Sequence, residues 1–415
     1  MADDSATAPT ATYPAGLSRR QVIAWRNGIL VIFALCGIGI ASWMARTPAI
    51  KAELAVTTAE MGILIFAIAL GSILGLLSSS HLLARFGARA VMATCFLIAP
   101  IGLAIAGLAV TFGQFYWVAF LGLGLFGVGM ATCDVAMNLS GAVNERILRR
   151  TIMPVFHAFF SFGTMIGAGL GALTELLQVS IALQAVIVST VMVIAGLAAV
   201  RMTQSETILH VPDESGEFVP DGWRTRLAIW KDPRTLFIGL IVLGMAFAEG
   251  SANDWLSLAA VEGHGVDRPT GAVVFGIFVT AMTVGRLTGP RVLDRYGRVP
   301  VLRASAALAA LGLLVFIFVP VLWIAVVGVV LWGLGSALGF PTGMSAAADD
   351  PRTAAARVSA VATIGYCAFL VGPPLIGFLG EHFGLLHALL LVLVLIVVAG
   401  VASGSARDRT KTPSA

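Results

Sequence analysis

Few charged or strongly polar side chains interrupt the long apolar runs of this 415-residue sequence, and those that do are spaced as if to share helix faces. Asp134 and Asn138 are four residues apart, so on a helix they lie one above the other. If that helix lines a cavity, Asp134 can take and release a proton, with Asn138 holding it or binding solute hydroxyls. The alternative is a helix that ends early, with the pair capping it among lipid headgroups. Glu249 and Asn253 repeat the spacing. Glu249 is expected to bind a polar solute or a proton and Asn253 to hydrogen-bond it; the competing reading is an ion pair, with Arg46 as a partner. Asp254 is expected at the outer surface. His157, just after Pro154, fits a proton relay or an interfacial hydrogen bond. Trp43 and Trp255 fit stacking on a ligand or an aromatic belt at the membrane boundary.

The elements that position these residues must be membrane helices. Hydrophobic residues make up 58% of the chain and charged residues 12%, about half the charged share of a soluble domain, and the mean hydropathy is +0.94. About 20 apolar residues cross the hydrocarbon layer, and the continuous runs read as helices rather than barrel strands. Twelve spans are expected, at 26–45, 58–80, 90–110, 114–138, 152–174, 180–200, 235–257, 270–289, 299–319, 321–345, 356–379 and 384–403. With the N-terminus inside, only Arg46, Lys51 and Arg268 of the 26 basic residues fall on the outer side, and Arg286 counts with the inner ones. The positive-inside rule then puts both termini in the cytoplasm, which in a bacterium means a multi-pass protein of the inner membrane.

Residues 1–18 read as a disordered tail, 19–200 as one six-helix half, 201–234 as a cytoplasmic linker, 235–403 as a second half and 404–415 as a cytoplasmic tail. The halves echo each other at an offset of about 210 residues: Leu125–Gly129 with Leu331–Gly335, Trp43 with Trp255, Arg85-Phe86-Gly87 with Arg295-Tyr296-Gly297, and Gly163 and Gly171 with Gly372 and Gly380. Duplicated halves place a binding site at the repeat interface. Gly163, Gly167 and Gly171 form a strip for close helix packing, and Gly372-Pro373-Pro374 must disturb its helix and could serve as a rocking hinge.

The loop Asp294-Arg295-Tyr296-Gly297-Arg298 resembles the DRxGR core of the cytoplasmic loop motif of the major facilitator superfamily, and with the spans and the repeat the resemblance covers nearly the whole chain. The first-half copy, Arg85-Phe86-Gly87-Ala88-Arg89, lacks the Asp, and Ser80 and Pro290 stand where the motif begins with Gly. The resemblance implies an all-α polytopic membrane protein of two pseudo-symmetric six-helix halves. It also implies a cytoplasmic gate at Asp294, Arg295, Gly297, Arg298, Arg85 and Arg89, with Asp294 pairing with Arg295, Arg298 or a helix N-terminus of the other half. Glu249 six residues before Trp255, and Asp134 four before Asn138, are similar to the fucose and glucose/galactose proton-symporter branch; that branch also has an acid in span one, where this chain has Trp43 and Arg46.

Other chemistries find no footing. Gly122-Leu123-Gly124-Leu125-Phe126-Gly127 matches a dinucleotide fingerprint but lies in an apolar helix with no strand before it. There is no phosphate-binding GxxxxGK[ST], so no sign of ATP as driver; no clustered His/Cys set for a metal; no cofactor motif; and no basic stripe for nucleic acid. Cys36, Cys95, Cys133 and Cys367 lack CxxC spacing and read as packing residues. The expected function is that of a proton-coupled secondary transporter, not an enzyme, moving a small polar solute such as a sugar across the bilayer by alternating access, with a monomer sufficient. A multidrug or metabolite efflux antiporter is the alternative, although Leu123 stands where antiporters have Arg in span four; a non-transporting scaffold or sensor is the third reading.

Overall fold

The computed structural model describes residues 16–150, 152–204, 229–349 and 353–407. Most of the expected tail 1–18, the centre of the linker 201–234 and the end of the tail 404–415 lie outside the described residues. What is described is almost wholly helical: α1 (Arg19–Met44), α2 (Thr47–Leu54), α3 (Thr58–Gly113), α4 (Tyr116–Leu148), α5 (Met153–Leu176), α6 (Ile181–Met202), α7 (Pro233–His264), α8 (Arg268–Tyr296), α9 (Arg298–Phe318), α10 (Leu322–Ser336), α11 (Gly339–Ala347), α12 (Ala354–Phe383), α13 (Leu385–Ala388) and α14 (Leu390–Ala402). Eleven stretches are long and apolar enough to cross a membrane. One of them, α3, has 56 residues and would reach roughly 84 Å if straight, far more than one crossing needs. It breaks at Gly87, where φ is 77° and ψ 158°, a conformation that favours glycine. The two limbs are the expected second and third spans, which restores twelve among the described residues.

The break has a counterpart. Gly297, between α8 and α9, has φ 77° and ψ 170°. The two loop-motif glycines therefore turn the chain in the same way in each half. Packing repeats as well. A Cβ on Gly102 or Gly122 would run into the other's carbonyl oxygen at 2.5 and 2.7 Å, and Gly312 and Gly328 show the same reciprocal contact at 2.4 and 2.6 Å. Gly127 faces the Ile68 carbonyl just as Gly333 faces that of Phe278, and Gly129 abuts Ala99 as Gly335 abuts Ala309. Small residues at matching heights let the helices of each half close on one another without a hydrophobic force between them.

Helix ends are fixed by local chemistry. Ser18 with Gln21 and Thr57 with Glu60 form capping boxes at α1 and α3, and Asp232 and Asp267 cap α7 and α8. The outer surface is apolar: Leu121, Ile194 and Val401 are 70%, 67% and 80% exposed, as lipid-facing residues must be. The described termini of the chain, α1 and α14, end on one face of the bundle, called here the terminal face; the opposite face carries the α1–α3, α7–α8 and α12–α14 turns. Trp117 and Trp323 stand exposed at that far end, one in each half. They fill the role of boundary aromatics, whereas Trp43 and Trp255 are buried.

Candidate functional site

The centre of the bundle holds an ion pair. One guanidinium nitrogen of Arg286 (α8) donates to both carboxylate oxygens of Glu249 (α7), at 2.7 and 2.8 Å. This corrects two expectations. Arg286 is not part of an inner loop but lies inside a span, and the partner of Glu249 is not Arg46. The signal was present in the sequence, since Arg286 stands within the apolar run 270–289 and an intramembrane cation implies a partner. Asn253 sits one turn beyond Glu249, half-buried, and makes no hydrogen bond to it among the described residues.

On the first-half side of the divide stand Asp134, Asn138 and His157, of which His157 is near enough to Arg286 to feel its charge. Asp134 lies near the middle of α4, which continues to Leu148, so the pair with Asn138 is an interior feature and not a helix cap. The Asn138 amide donates to the Asp134 backbone oxygen at 2.8 Å and to its carboxylate at 3.2 Å. The His157 ring stands edge-on to Phe33 of α1 at 5.2 Å. Charges act across the divide between halves: Arg286 acts on His157 and Asp134 on Tyr366 of α12. Asp134, His157 and Tyr366 are nevertheless all exposed. Groups from opposite halves that are close enough to feel each other yet remain accessible define an open gap. Tyr366 went unnoticed in the sequence because a tyrosine in an apolar helix carries no distinguishing pattern.

The gap is shut at the far face. Lys51 of α2 pairs with Glu262 of α7 at 2.5 Å. Glu381 of α12 accepts from the Thr58 backbone N–H at 2.7 Å, Ser257 donates to the Ala45 carbonyl at 3.2 Å, and Arg268 lies 3.8 Å from Glu175. Beneath these, Gly62 of α3 packs against the backbone of Pro373 and Gly377 in α12. Gly372-Pro373-Pro374 thus forms part of the seal, inside an uninterrupted helix. The strip Gly163, Gly167 and Gly171 packs α5 on α1, with Gly163 facing the Ala34 carbonyl and Gly167 that of Ile38. Arg46 belongs to the first half, not to Glu249. It bonds Glu175 at 2.5 Å, Gln184 at 2.6 Å, Thr174 at 3.1 Å and the Val179 carbonyl at 2.9 Å.

At the terminal face, polar contacts among the described residues stay within one half. Arg298 and Arg234 converge on Asp349, at 2.6 and 3.0 Å, Arg357 reaches Asp232 at 3.2 Å, and Arg89 reaches the Arg201 carbonyl at 3.3 Å. Asp294 is exposed and pairs with neither Arg295, Arg298 nor a helix of the other half among the described residues; Arg298 is engaged with Asp349 instead. Arg295 lies beside the Tyr296 ring and Arg85 beside Phe86, each at 5.4 Å. Among the described residues the halves are therefore joined by polar contacts at the far face and by none at the terminal face. Trp43 and Trp255 lie buried near the far seal, and their indole N–H groups have no hydrogen-bond partner among the described residues. A separate apolar hollow of about 450 Å³, lined by Leu379, Phe383, His387 and Leu390, lies between α12 and α14, away from the charged groups.

Twelve spans in two matching halves, with a polar gap between them bridged at the far face, define a multi-pass membrane protein with the architecture of a secondary transporter. The family model described as Major Facilitator Superfamily matches residues 27–368 and again 255–414. The chain belongs to that superfamily. It is similar to an uncharacterized MFS-type transporter of Yersinia pestis, 30% identical over 383 residues that cover 90% of this chain and 94% of that protein. It is also similar to membrane protein MosC of Rhizobium meliloti, 27% identical over 378 residues, covering 89% and 87%. Among solved structures, the nucleoside transporter NupG superposes with a TM-score of 0.72 at 17% identity, over 93% of this chain and 98% of that one. A bacterial homolog of the human lysosomal transporter Spinster, inward-facing and unoccupied, gives 0.71 at 14%, over 96% and 100%. A form of the E. coli fucose:proton symporter FucP gives 0.60 at 16%, over 94% and 100%.

Proposed function

We propose that the protein takes up a small polar solute together with protons, and that the solute binds in the gap between the Glu249–Arg286 pair and the Asp134, Asn138 and His157 group. The observation that carries this reading is the ion pair itself. An arginine and a glutamate at mid-membrane are costly to keep there, and their remaining donors and acceptors suit a ligand rich in hydroxyls. Sugars and nucleosides have that chemistry, and solved structures with the same fold are named for a nucleoside and for fucose. Arg286 would donate to solute oxygens and Glu249 accept from hydroxyls, while Asp134 and Tyr366 stand opposite as further polar partners.

Residues 19–200 and 235–403 would rock as two bodies about this site, joined by the linker 201–234. The bias of basic residues orients the terminal face, with both chain ends, to the cytoplasm, in the inner membrane of a bacterium. The structure would then be the inward-open state, one that releases an imported solute. In the opposite state Arg85, Arg89, Arg295 and Asp294 would close the cytoplasmic side, and the Gly372-Pro373-Pro374 segment would part from Gly62. A monomer, the bilayer, the solute and protons suffice for this cycle.

The test is internal-pH recording in proteoliposomes of the purified protein, with sugars, nucleosides, amino acids, organic acids and cationic drugs added outside. Acidification with a hydroxylated solute, abolished by Glu249→Gln, is the expected outcome. Alkalinisation with the drugs would make the protein an efflux antiporter instead.

A further inference from the structure

Asp254 does not reach the outer surface, as its place in the sequence suggested. It lies within α7, ten residues short of His264, about 15 Å along the helix, and is half-buried. Gly250, one turn before it, packs against the Phe369 ring of α12, and Ser257, nearly one turn after it, reaches across to Ala45 of the first half. Of that face, Gly250 packs within its own half and Ser257 reaches the first half, so the face borders the seam between the halves just beneath the far seal.

What sets Asp254 apart is the lack of any partner among the described residues. The other membrane-embedded carboxylates of the far half and the centre are held: Glu175 by Arg46, Glu249 by Arg286, Asp134 by Asn138. The elements packed around α7 do carry charged and titratable groups. Toward the far face and the centre these are Cys36 on α1, Arg46, Lys51 and Glu53 after it, Arg268 and Arg286 on α8, and Tyr366, Cys367, Glu381 and His382 on α12, with His387 on α13. Toward the terminal face lie Arg19, Arg20 and Arg26 on α1, Arg291, Asp294, Arg295 and Tyr296 on α8, and Arg357 on α12. Its own helix adds Arg234 at its terminal-face start and Glu249, Glu262 and His264 further on, while α10, α11 and α14 carry none. Among the described residues none of these pairs with Asp254 or hydrogen-bonds to it, and the cations nearest the seal are engaged with Glu175 and Glu262. An ionised carboxylate inside a membrane bundle without a cation or donor is costly enough that it is kept neutral instead.

We propose that Asp254 is a proton-binding site of the transport cycle, separate from the Glu249–Arg286 solute site. When the halves part at the far face, water reaches the seam and the carboxylate takes a proton from it, forming the O–H bond. Once the far seal has closed, the carboxyl is cut off from that side, so the O–H bond breaks only toward the gap at the terminal face, with the proton passing to the water there. Loading is thus tied to the state of the seal. The inference rests on the transport reading above and gives the coupling proton an address that the sequence concealed.

The test uses the full chain in lipid nanodiscs and infrared difference spectroscopy on stepping the pH, with the proton itself as ligand. Wild type is expected to show a protonated-carboxyl band at neutral pH that titrates on raising the pH and shifts in heavy water. Asp254→Asn, close in size and shape, should lose this band, Asp254→Glu should restore it at a shifted frequency, and Asp134→Asn should retain it. A band unchanged in Asp254→Asn overturns the assignment, as does one that neither titrates nor exchanges in heavy water. Wild-type proteoliposomes with no solute-driven proton movement would overturn proton coupling as a whole. An unchanged band in the variant with that movement intact would overturn only the role of Asp254.

Discussion

Closure of the far face depends on a contact that only glycine permits. A Cβ placed on Gly62 would stand 2.5 Å from the Pro373 carbonyl oxygen and 3.2 Å from the Gly377 Cα, both of them backbone atoms of the other half. No side chain can rotate away to relieve this, so Gly62→Ala must hold the two helices apart or strain them. Overpacking of this kind costs about 1–3 kcal/mol. Because only the far-closed state carries the clash, that cost is a shift in the equilibrium between states, and at 1.4 kcal/mol per factor of ten it amounts to roughly 5- to 140-fold toward far-open. The assay is the rate at which a membrane-impermeant maleimide applied from the far side labels Asn253→Cys, half-buried beneath the seal, with Cys367→Ser removing the one exposed native thiol. Gly169→Ala, with nothing within 4 Å of the new methyl group, is the control. Labelling that is unchanged by Gly62→Ala, or raised equally by Gly169→Ala, would refute the reasoning.

Arg46 and Glu175 are 5% and 4% exposed, so Arg46→Met should destabilise the protein by about 3–5 kcal/mol by stranding a buried carboxylate, and adding Glu175→Leu should recover much of the loss; thermal unfolding of the two variants should differ accordingly. Glu249 and Arg286 are more accessible, at 17% and 31%, so either single neutralisation should cost only about 1–2 kcal/mol while abolishing transport, separating function from folding in a paired uptake and melting experiment. Burial pushes the Asp232 carboxyl up, but the Thr235 hydroxyl, the Arg357 guanidinium and neighbouring N–H groups outweigh it and hold it below its usual range; at Asp267 the Thr270 hydroxyl and backbone N–H do so. Carboxyls depressed in this way stabilise the fold above an unfolded pKa of about 4 and lose that effect as pH falls through their lower folded values, so melting temperature should drop on that acid limb, and less so in Asp232→Asn and Asp267→Asn.

The fold was legible because lipid imposes its demands on sequence directly: twelve apolar runs, alternating basic loops and a repeat near 210 residues. Even the merged helix α3 had its break marked by Gly87, the partner of Gly297. The site was legible only in part. Asp134 with Asn138 could be paired because four-residue spacing is a local property. Glu249 and Arg286 could not, since their contact joins residues 37 apart in sequence on two different helices and depends on how α8 is rotated. The same limit misplaced Asp254, assigned to the surface because span seven was expected to end at 257, whereas the helix runs on to His264. Trp43 and Trp255 show the reverse: tryptophans near expected span ends resemble boundary residues, but packing near the far seal buries both.

The most direct test of the account is accumulation of a solute that acidifies the proteoliposomes, measured as its inside-to-outside ratio with an acid-outside pH gradient, with none, and with the gradient reversed. The account predicts concentration above the external level only with acid outside, and mere equilibration without a gradient. Equal ratios under all three conditions would contradict it.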